Sequence, residues 1–171
     1  MNTSLAAAAQ APAWSFSLNG QAVTVACAPD QRLLTLLREH FRLAGAKPGC
    51  EVGRCGACMV WLDGQPANSC LLMAYQLEGR SITTIEALAQ APESVPVAAA
   101  LAQCGAVQCG YCSPAMVMGL TYLHQQPGMD AGQAGALMCG HLCRCTGYGG
   151  MRRAIEVLFP ACGQRNSAGI S

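Results

Sequence analysis

Twelve cysteines in 171 residues constrain this chain more than any other feature, because eight of them fall into two closely spaced sets. Cys50, Cys55, Cys58 and Cys70 are spaced C-x4-C-x2-C-x11-C. Cys109 and Cys112 form a C-x2-C pair, and Cys143 and Cys145 a C-x-C pair thirty residues further on. No apolar run reaches the ~18 residues of a spanning helix. Met1–Pro12 is alanine-rich without a basic leader or twin arginine. The sequence therefore reads as cytoplasmic, where thiols stay reduced and dense cysteine points to metal or redox chemistry rather than a disulfide framework.

The charge pattern narrows the class further. Charged residues make up 11 % of the chain and the net charge is +1, against ~25 % charged residues in an ordinary domain. Such a chain has no basic field for nucleic acid or an anionic membrane surface. Its hydrophobic fraction of 52 % is enough to build a core.

The first half reads as β structure around one helix. Trp14, Phe16 and Leu18 alternate with serines, Asn19-Gly20 signals a tight hairpin, and Val23 and Val25 continue the alternation. Asp30 is placed to cap a helix carrying Leu33, Leu34, Leu37 and Phe41. A glycine-studded loop, Gly49 to Gly56, then precedes a short strand at Met59–Leu62, a turn at Asp63-Gly64, and a last strand over Ser81–Ile85. The second half reads as four short helices. They start near Ser94, at Ser113-Pro114, at Asp130 and near Met151, and the last stops at Pro160. The expected architecture is α+β: a small β-grasp-like domain over 13–88 and a four-helix domain over 89–162, packed together, with flexible tails at 1–12 and 163–171.

The first cysteine set follows the plant-type [2Fe–2S] spacing, with the fourth ligand arriving from further along the chain. Gly49, Gly53 and Gly56 allow backbone amides to turn toward anionic sulfur. A structural zinc site could use the same thiolates, but the x4 offset and the interleaved glycines favour the cluster. The compact C-x2-C-x2-C run of a [4Fe–4S] site is absent. The second set is ambiguous by spacing alone between zinc and iron–sulfur. Each of its pairs precedes an expected helix start, and a helix N-terminus stabilises negative charge. Cys27, Cys104, Cys139 and Cys162 read as small buried hydrophobes. Cys139-Gly140-His141 fails a Rieske reading for want of a second Cys–His pair, which leaves His141 as a loop residue bonding locally.

Three segments together resemble one family: Gly49-Cys50-Glu51-Val52-Gly53-Arg54-Cys55-Gly56-Ala57-Cys58, Val107-Gln108-Cys109-Gly110-Tyr111-Cys112-Ser113-Pro114, and Leu142-Cys143-Arg144-Cys145-Thr146-Gly147-Tyr148. They look like the signatures of the small iron–sulfur subunit of molybdenum hydroxylases, a group that includes xanthine dehydrogenase, aldehyde oxidoreductase and aerobic carbon monoxide dehydrogenase. The resemblance spans about Trp14 to Phe159. It implies a plant-type ferredoxin-like domain with a [2Fe–2S] cluster on Cys50, Cys55, Cys58 and Cys70. It implies a four-helix domain with a second cluster on Cys109, Cys112, Cys143 and Cys145, and contacts from Gln108 and Cys145 to a molybdopterin on a large partner subunit. It also implies onward electron transfer to FAD, or another acceptor, on a further partner. Ala115, His141 and Met59 stand where the family often has glycine, asparagine and threonine, and none of these departures removes a ligand.

The leading expectation is therefore an electron-transfer subunit of an oxidoreductase complex, with no substrate site of its own. The alternatives are a free-standing ferredoxin-type carrier, which usually has an acidic surface that 9 Asp+Glu do not supply, and a non-redox zinc module. From Ser94 to Met151 the only Asp, Glu, Lys or Arg residues are Asp130 and Arg144. So apolar a helical half is expected to be covered by a partner; Met116, Met118, Met138 and Met151 add adaptable apolar surface, though at helical spacing the default for each is core packing.

Overall fold

The computed structural model of the chain describes residues 11–160. Cys162, the tail expected over 163–171 and nearly all of that over 1–12 lie outside the described residues.

Asn19 and Gly20 both adopt left-handed backbone conformations, with φ of 53° and 80°. That is the turn geometry whose twist matches a hairpin, and it joins β1 (Ala13–Leu18) to β2 (Gln21–Ala26). Asp63 and Gly64 repeat the device between β3 (Met59–Leu62) and β4 (Gln65–Asn68), with φ of 49° and 77°. The short β5 (Ser81–Thr83) enters the middle, parallel to β1 and antiparallel to β3, so the five strands run β2-β1-β5-β3-β4. The strand ends earlier than Ile85 because Asn19 takes hold of Thr84. The Asn19 side chain donates to the Thr84 hydroxyl at 3.0 Å and accepts from the Thr84 amide at 2.8 Å. Ile85 instead opens a short helix over Ile85–Leu88.

The crossing helix differs from expectation at both ends. Asp30 does not cap it. The helix α1 (Leu33–Thr35) starts at Arg32 without a side-chain cap, because its first amides find tertiary acceptors: Leu33 N donates to Leu72 O and Leu34 N to Ser69 O. The same bonds anchor the segment carrying Cys70 against the helix. Beyond Thr35 the coil widens into a π-turn over Leu36–His40, closed by a Phe41 N to Leu36 O bond. The wider turn lets Leu33, Leu34, Leu36 and Leu37 all enter the core beside Phe16, Val60, Leu77 and Ile82.

With the short helix at Ile85–Leu88 counted as α2, the second half is built from α3 (Val95–Gln103), α4 (Ser113–His124), α5 (Ala131–Leu137) and α6 (Gly149–Leu158). Asp130 caps α5 as expected, accepting from the Gln133 amide at 2.8 Å while the Gln133 side chain accepts from the Asp130 amide at 3.1 Å. Val97, Leu101, Leu120, Ala154 and Ile155 form the centre of the bundle. Met116, Met118, Met138 and Met151 are buried too, none more than 6 % exposed. These methionines take the core packing that is the default at their helical spacing, since unbranched thioethers fit the irregular gaps between short helices. The apolar surface of this half comes instead from Val95, Val107, Tyr111, Leu137, Leu142 and Val157.

The halves meet through side chains of both. Trp61 of β3 donates its indole N–H to the Met118 carbonyl of α4 at 3.3 Å, and packs with Leu88 and Met118. Tyr122 of the same helix donates to the Gln65 side chain at 2.6 Å.

Helix α6 lies against the end of α3 because Gly150 has no side chain: a Cβ there would stand 2.6 Å from the Gly105 carbonyl oxygen. Gly150→Ala is expected to cost about 1–3 kcal/mol through overpacking. A Cβ at Gly135, inside α5, would meet nothing within 4 Å, so Gly135→Ala should stabilise by about 0.5–1 kcal/mol. Thermal unfolding of the two variants should shift in opposite directions.

Candidate metal centres

The loop after Gly49 curls because three of its residues are left-handed: Glu51, Gly53 and Gly56, with φ of 55°, 76° and 70°. The curl aims two amides at one sulfur. Val52 N and Arg54 N donate to Cys50 Sγ at 3.5 and 3.1 Å, and Cys50 N donates to Cys55 Sγ at 3.4 Å. A Cβ at Gly49 would lie 2.8 Å from Cys55 Sγ, so only glycine lets the backbone approach that sulfur. Cys58 stands at the foot of β3 and Cys70 just beyond β4, two adjacent antiparallel strands. The Cys58 and Cys70 thiols interact directly, and Cys70 also feels Cys50. Asn68 laces the site together, donating to Gly53 O at 3.2 Å.

The second set assembles in the same manner. Cys112 immediately precedes α4, and Cys109 is brought beside it by the left-handed Gly110 at φ 80°. Cys143 and Cys145 precede α6, in a loop closed by left-handed Gly147 and Tyr148 at φ 60° and 64°. Cys145 Sγ and Cys109 Sγ lie 3.5 Å apart. Cys112 interacts with Cys143, and Cys109 with Cys143 at longer range. All eight expected ligands are therefore gathered into two sites of four, each resolved into two pairs: Cys50 with Cys55 and Cys58 with Cys70, then Cys109 with Cys145 and Cys112 with Cys143. Among the described residues no three His, Cys, Asp or Glu side chains are grouped around a single ion position. Four thiols in two pairs are the ligand set that a two-iron cluster takes, two cysteines to each iron.

The environment biases some of these thiols toward the thiolate. Amides of Val52 and Arg54 lower Cys50 to about 7. Burial works upward on Cys143, but bonds from the Thr146 hydroxyl and from loop amides outweigh it and bring the thiol to about 7. Burial, reinforced by the neighbouring Cys58, raises Cys70 to about 11, and burial with Cys143 beside it raises Cys112 to about 11.

The two sites are joined through their loops. Leu142 N donates to Cys55 O at 3.0 Å, and Tyr111, between Cys109 and Cys112, donates its hydroxyl to Pro48 O at 2.6 Å. His141 departs from expectation. It makes no side-chain hydrogen bond, both ring nitrogens are buried without a partner among the described residues, and burial lowers its pKa. Its ring fills a slot between Gly56 and Gly119, where an added Cβ would stand 3.0 and 3.1 Å from ring atoms. Cys139 is exposed, and Cys27 and Cys104 are half-buried, so none of these three is the fully buried hydrophobe expected. Gln108 is exposed beside Cys109 and Cys145, which are exposed as well. The loop-to-loop bonds and the Thr146 hydroxyl escaped sequence reasoning, since pairs such as Tyr111 and Pro48 are far apart in the chain and carry no common motif.

Residues 16–89 match the family model of the 2Fe-2S iron-sulfur cluster binding domain and residues 84–156 that of a [2Fe-2S] binding domain. The chain is 45 % identical over 157 residues to a probable xanthine dehydrogenase subunit of Bacillus subtilis, covering 90 % of this chain and 89 % of that protein. It is 37 % identical to the nicotinate dehydrogenase small FeS subunit of Eubacterium barkeri, covering 86 % of this chain and 95 % of that one. The chain belongs to the small iron–sulfur subunits of the molybdenum hydroxylases. Among solved structures, a chain of quinoline 2-oxidoreductase from Pseudomonas putida 86 superposes on this subunit with a TM-score of 0.77 at 36 % identity, covering 86 % of the subunit and 91 % of that chain. The subunit is thus the iron–sulfur part of an oxidoreductase, a ferredoxin-like domain followed by a helical one, each of a [2Fe–2S]-binding type. No described helix is long and apolar enough to cross a membrane.

The thiol environments make a reactivity order for the metal-free folded chain. A thiol at about 7 is largely thiolate above neutral pH, and one at about 11 stays protonated until strongly alkaline. Only the thiolate attacks. Brief iodoacetamide treatment near pH 8, read by peptide mass spectrometry, should label Cys50 and Cys143 well ahead of Cys70 and Cys112, with the latter two catching up only near pH 11.

Proposed function

We propose that this subunit carries electrons, in the cytoplasm, from a molybdopterin centre on a large partner subunit to FAD, or another acceptor, on a further partner. The observation that carries this reading is the gathering of eight thiols into two sites of paired thiols whose loops touch each other. Cys50, Cys55, Cys58 and Cys70 would hold one [2Fe–2S] cluster in the unit over 13–88. Cys109, Cys112, Cys143 and Cys145 would hold the other in the unit over 89–162. Each cluster supplies a one-electron relay when bound.

The chain's own residues do the rest. Amides of Val52 and Arg54 offset the charge on Cys50, and the Thr146 hydroxyl that on Cys143. The Leu142 to Cys55 bond leaves a single hydrogen bond between a ligand of one site and the residue next to a ligand of the other. Cys109, Cys145 and Gln108 are exposed on the helical half, flanked by the exposed Val107, Tyr111 and Leu142. This apolar rim is the surface we assign to the large subunit, with Gln108 and Cys145 toward the pterin. A free-standing carrier would have no reason to present such a rim.

Metal analysis tests the ligand assignment. The subunit isolated from its native complex should hold about four irons with matching acid-labile sulfide, and dithionite should bring out two distinct paramagnetic signals. Zinc in place of iron would overturn the reading. Hydrogen exchange tests the surface: 108–113 and 141–148 should be protected in the complex and exchange readily in the isolated subunit, while Arg32 to Lys47 changes little.

A further inference from the structure

The two sites offset the charge on sulfur by different means. In the ferredoxin-like site the amides of Cys50, Val52 and Arg54 donate to the sulfurs of Cys55 and Cys50, fixed by the curl of the loop. In the helical site a side chain takes part. Thr146 donates its hydroxyl to Cys143 Sγ at 3.1 Å. The hydroxyl is oriented, because Tyr148 N donates to Thr146 Oγ1 at 3.3 Å and so occupies the oxygen from the other side. Cys143 is held from behind as well: its amide donates to the Tyr148 hydroxyl at 2.7 Å. That amide is engaged away from sulfur, and Cys143 Sγ is met instead by the Thr146 hydroxyl together with the amides of Cys145 and Thr146. Tyr148 accepts a left-handed backbone, φ 64°, to make both contacts. Such a conformation is strained for a non-glycine residue, so the arrangement is held in place by what surrounds it.

We propose that Thr146 sets the reduction potential of the helical-domain cluster, through a hydrogen bond to the Cys143 thiolate that strengthens on reduction. The inference rests on the ligand assignment above. One-electron reduction adds one negative charge to a cluster and its four thiolates. The electron arrives from the partner's molybdopterin centre and leaves toward the ferredoxin-like site, and no proton is transferred. A donor on sulfur stabilises the more negative state more, and so raises the potential. Thr146 acts through Cys143 and is a tuning residue; it touches no substrate. The device works on one cluster alone, because Thr146 lies in the loop of the helical site and donates to no sulfur of the other.

An EPR-monitored redox titration of the purified complex tests this. Thr146→Val keeps the shape and removes the donor. It should move the midpoint of the helical cluster negative by about tenfold in the one-electron equilibrium constant, which is about 59 mV, and leave the ferredoxin-like cluster where it was. Thr146→Ser should restore most of the shift. The proposal falls if Thr146→Val, with its full iron and both signals, titrates like wild type, or if Thr146→Ser shifts as far as Thr146→Val. Should the valine variant fail to load its iron, the wild-type complex decides. With the helical cluster reduced, ENDOR must show a proton that exchanges in heavy water and fits an O–H donor about 3.1 Å from sulfur, and its absence overturns the proposal. Wild-type subunit lacking iron or one of its two signals would overturn the ligand assignment itself, so the two failures read differently.

Discussion

Eight thiols gathered into two small sites would repel one another once ionised, and much of the surrounding structure offsets that repulsion. Charged side chains do little to offset it. Between Ser94 and Met151 only Asp130 and Arg144 carry formal charge, and Arg32 is engaged with Glu51 at 3.0 Å. The compensation is made with dipoles instead. Left-handed residues at 51, 53 and 56 turn amides inward, Thr146 supplies a hydroxyl, and the two cysteine pairs of the helical site stand at the starts of α4 and α6. Dipoles held by the fold need no counter-ion and give up little solvation when a partner covers them. That suits the surface we assign to the large subunit.

Placing anionic sites at loops rather than in a core makes the loops depend on what packs behind them. The Cys70 segment is tied to α1 through Ser69 and Leu72, and that tie replaces the cap that Asp30 does not supply. The Cys143 loop is braced by Tyr148, and α6 can follow it closely because Gly150 admits the carbonyls at the end of α3. The two loop systems then brace each other. Leu142 bonds to Cys55, Tyr111 bonds to Pro48, and the His141 ring is wedged between glycines from the two halves. The separation between the sites is set by direct contact rather than by a linker. In an electron carrier that geometry matters more than the stability of either half alone.

Much of this was legible in the chain. The C-x4-C-x2-C spacing identifies the first site because a short loop must present sulfurs at fixed offsets. Asn19-Gly20 and Asp63-Gly64 announce hairpins because each turn needs two left-handed residues. Asp130 announces a helix start as an N-cap. All of these are local demands, met within a few residues. The spacing of the second set left zinc open, since a C-x2-C and a C-x-C pair thirty residues apart say nothing about which thiol meets which.

Tertiary structure decided what depends on residues distant in sequence. It paired Cys109 with Cys145 and Cys112 with Cys143, and placed Leu142 on Cys55 and Tyr111 on Pro48. It put four methionines in the core, the default at their helical spacing, and it buried His141 without a partner among the described residues where a local bond was expected. It started α1 without its cap, because carbonyls from a later loop accept its first amides. The division has one physical cause. Turn chemistry, caps and ligand spacing are set by the backbone near each residue, whereas pairing, burial and the choice of hydrogen-bond partner are settled only when the two halves close on each other.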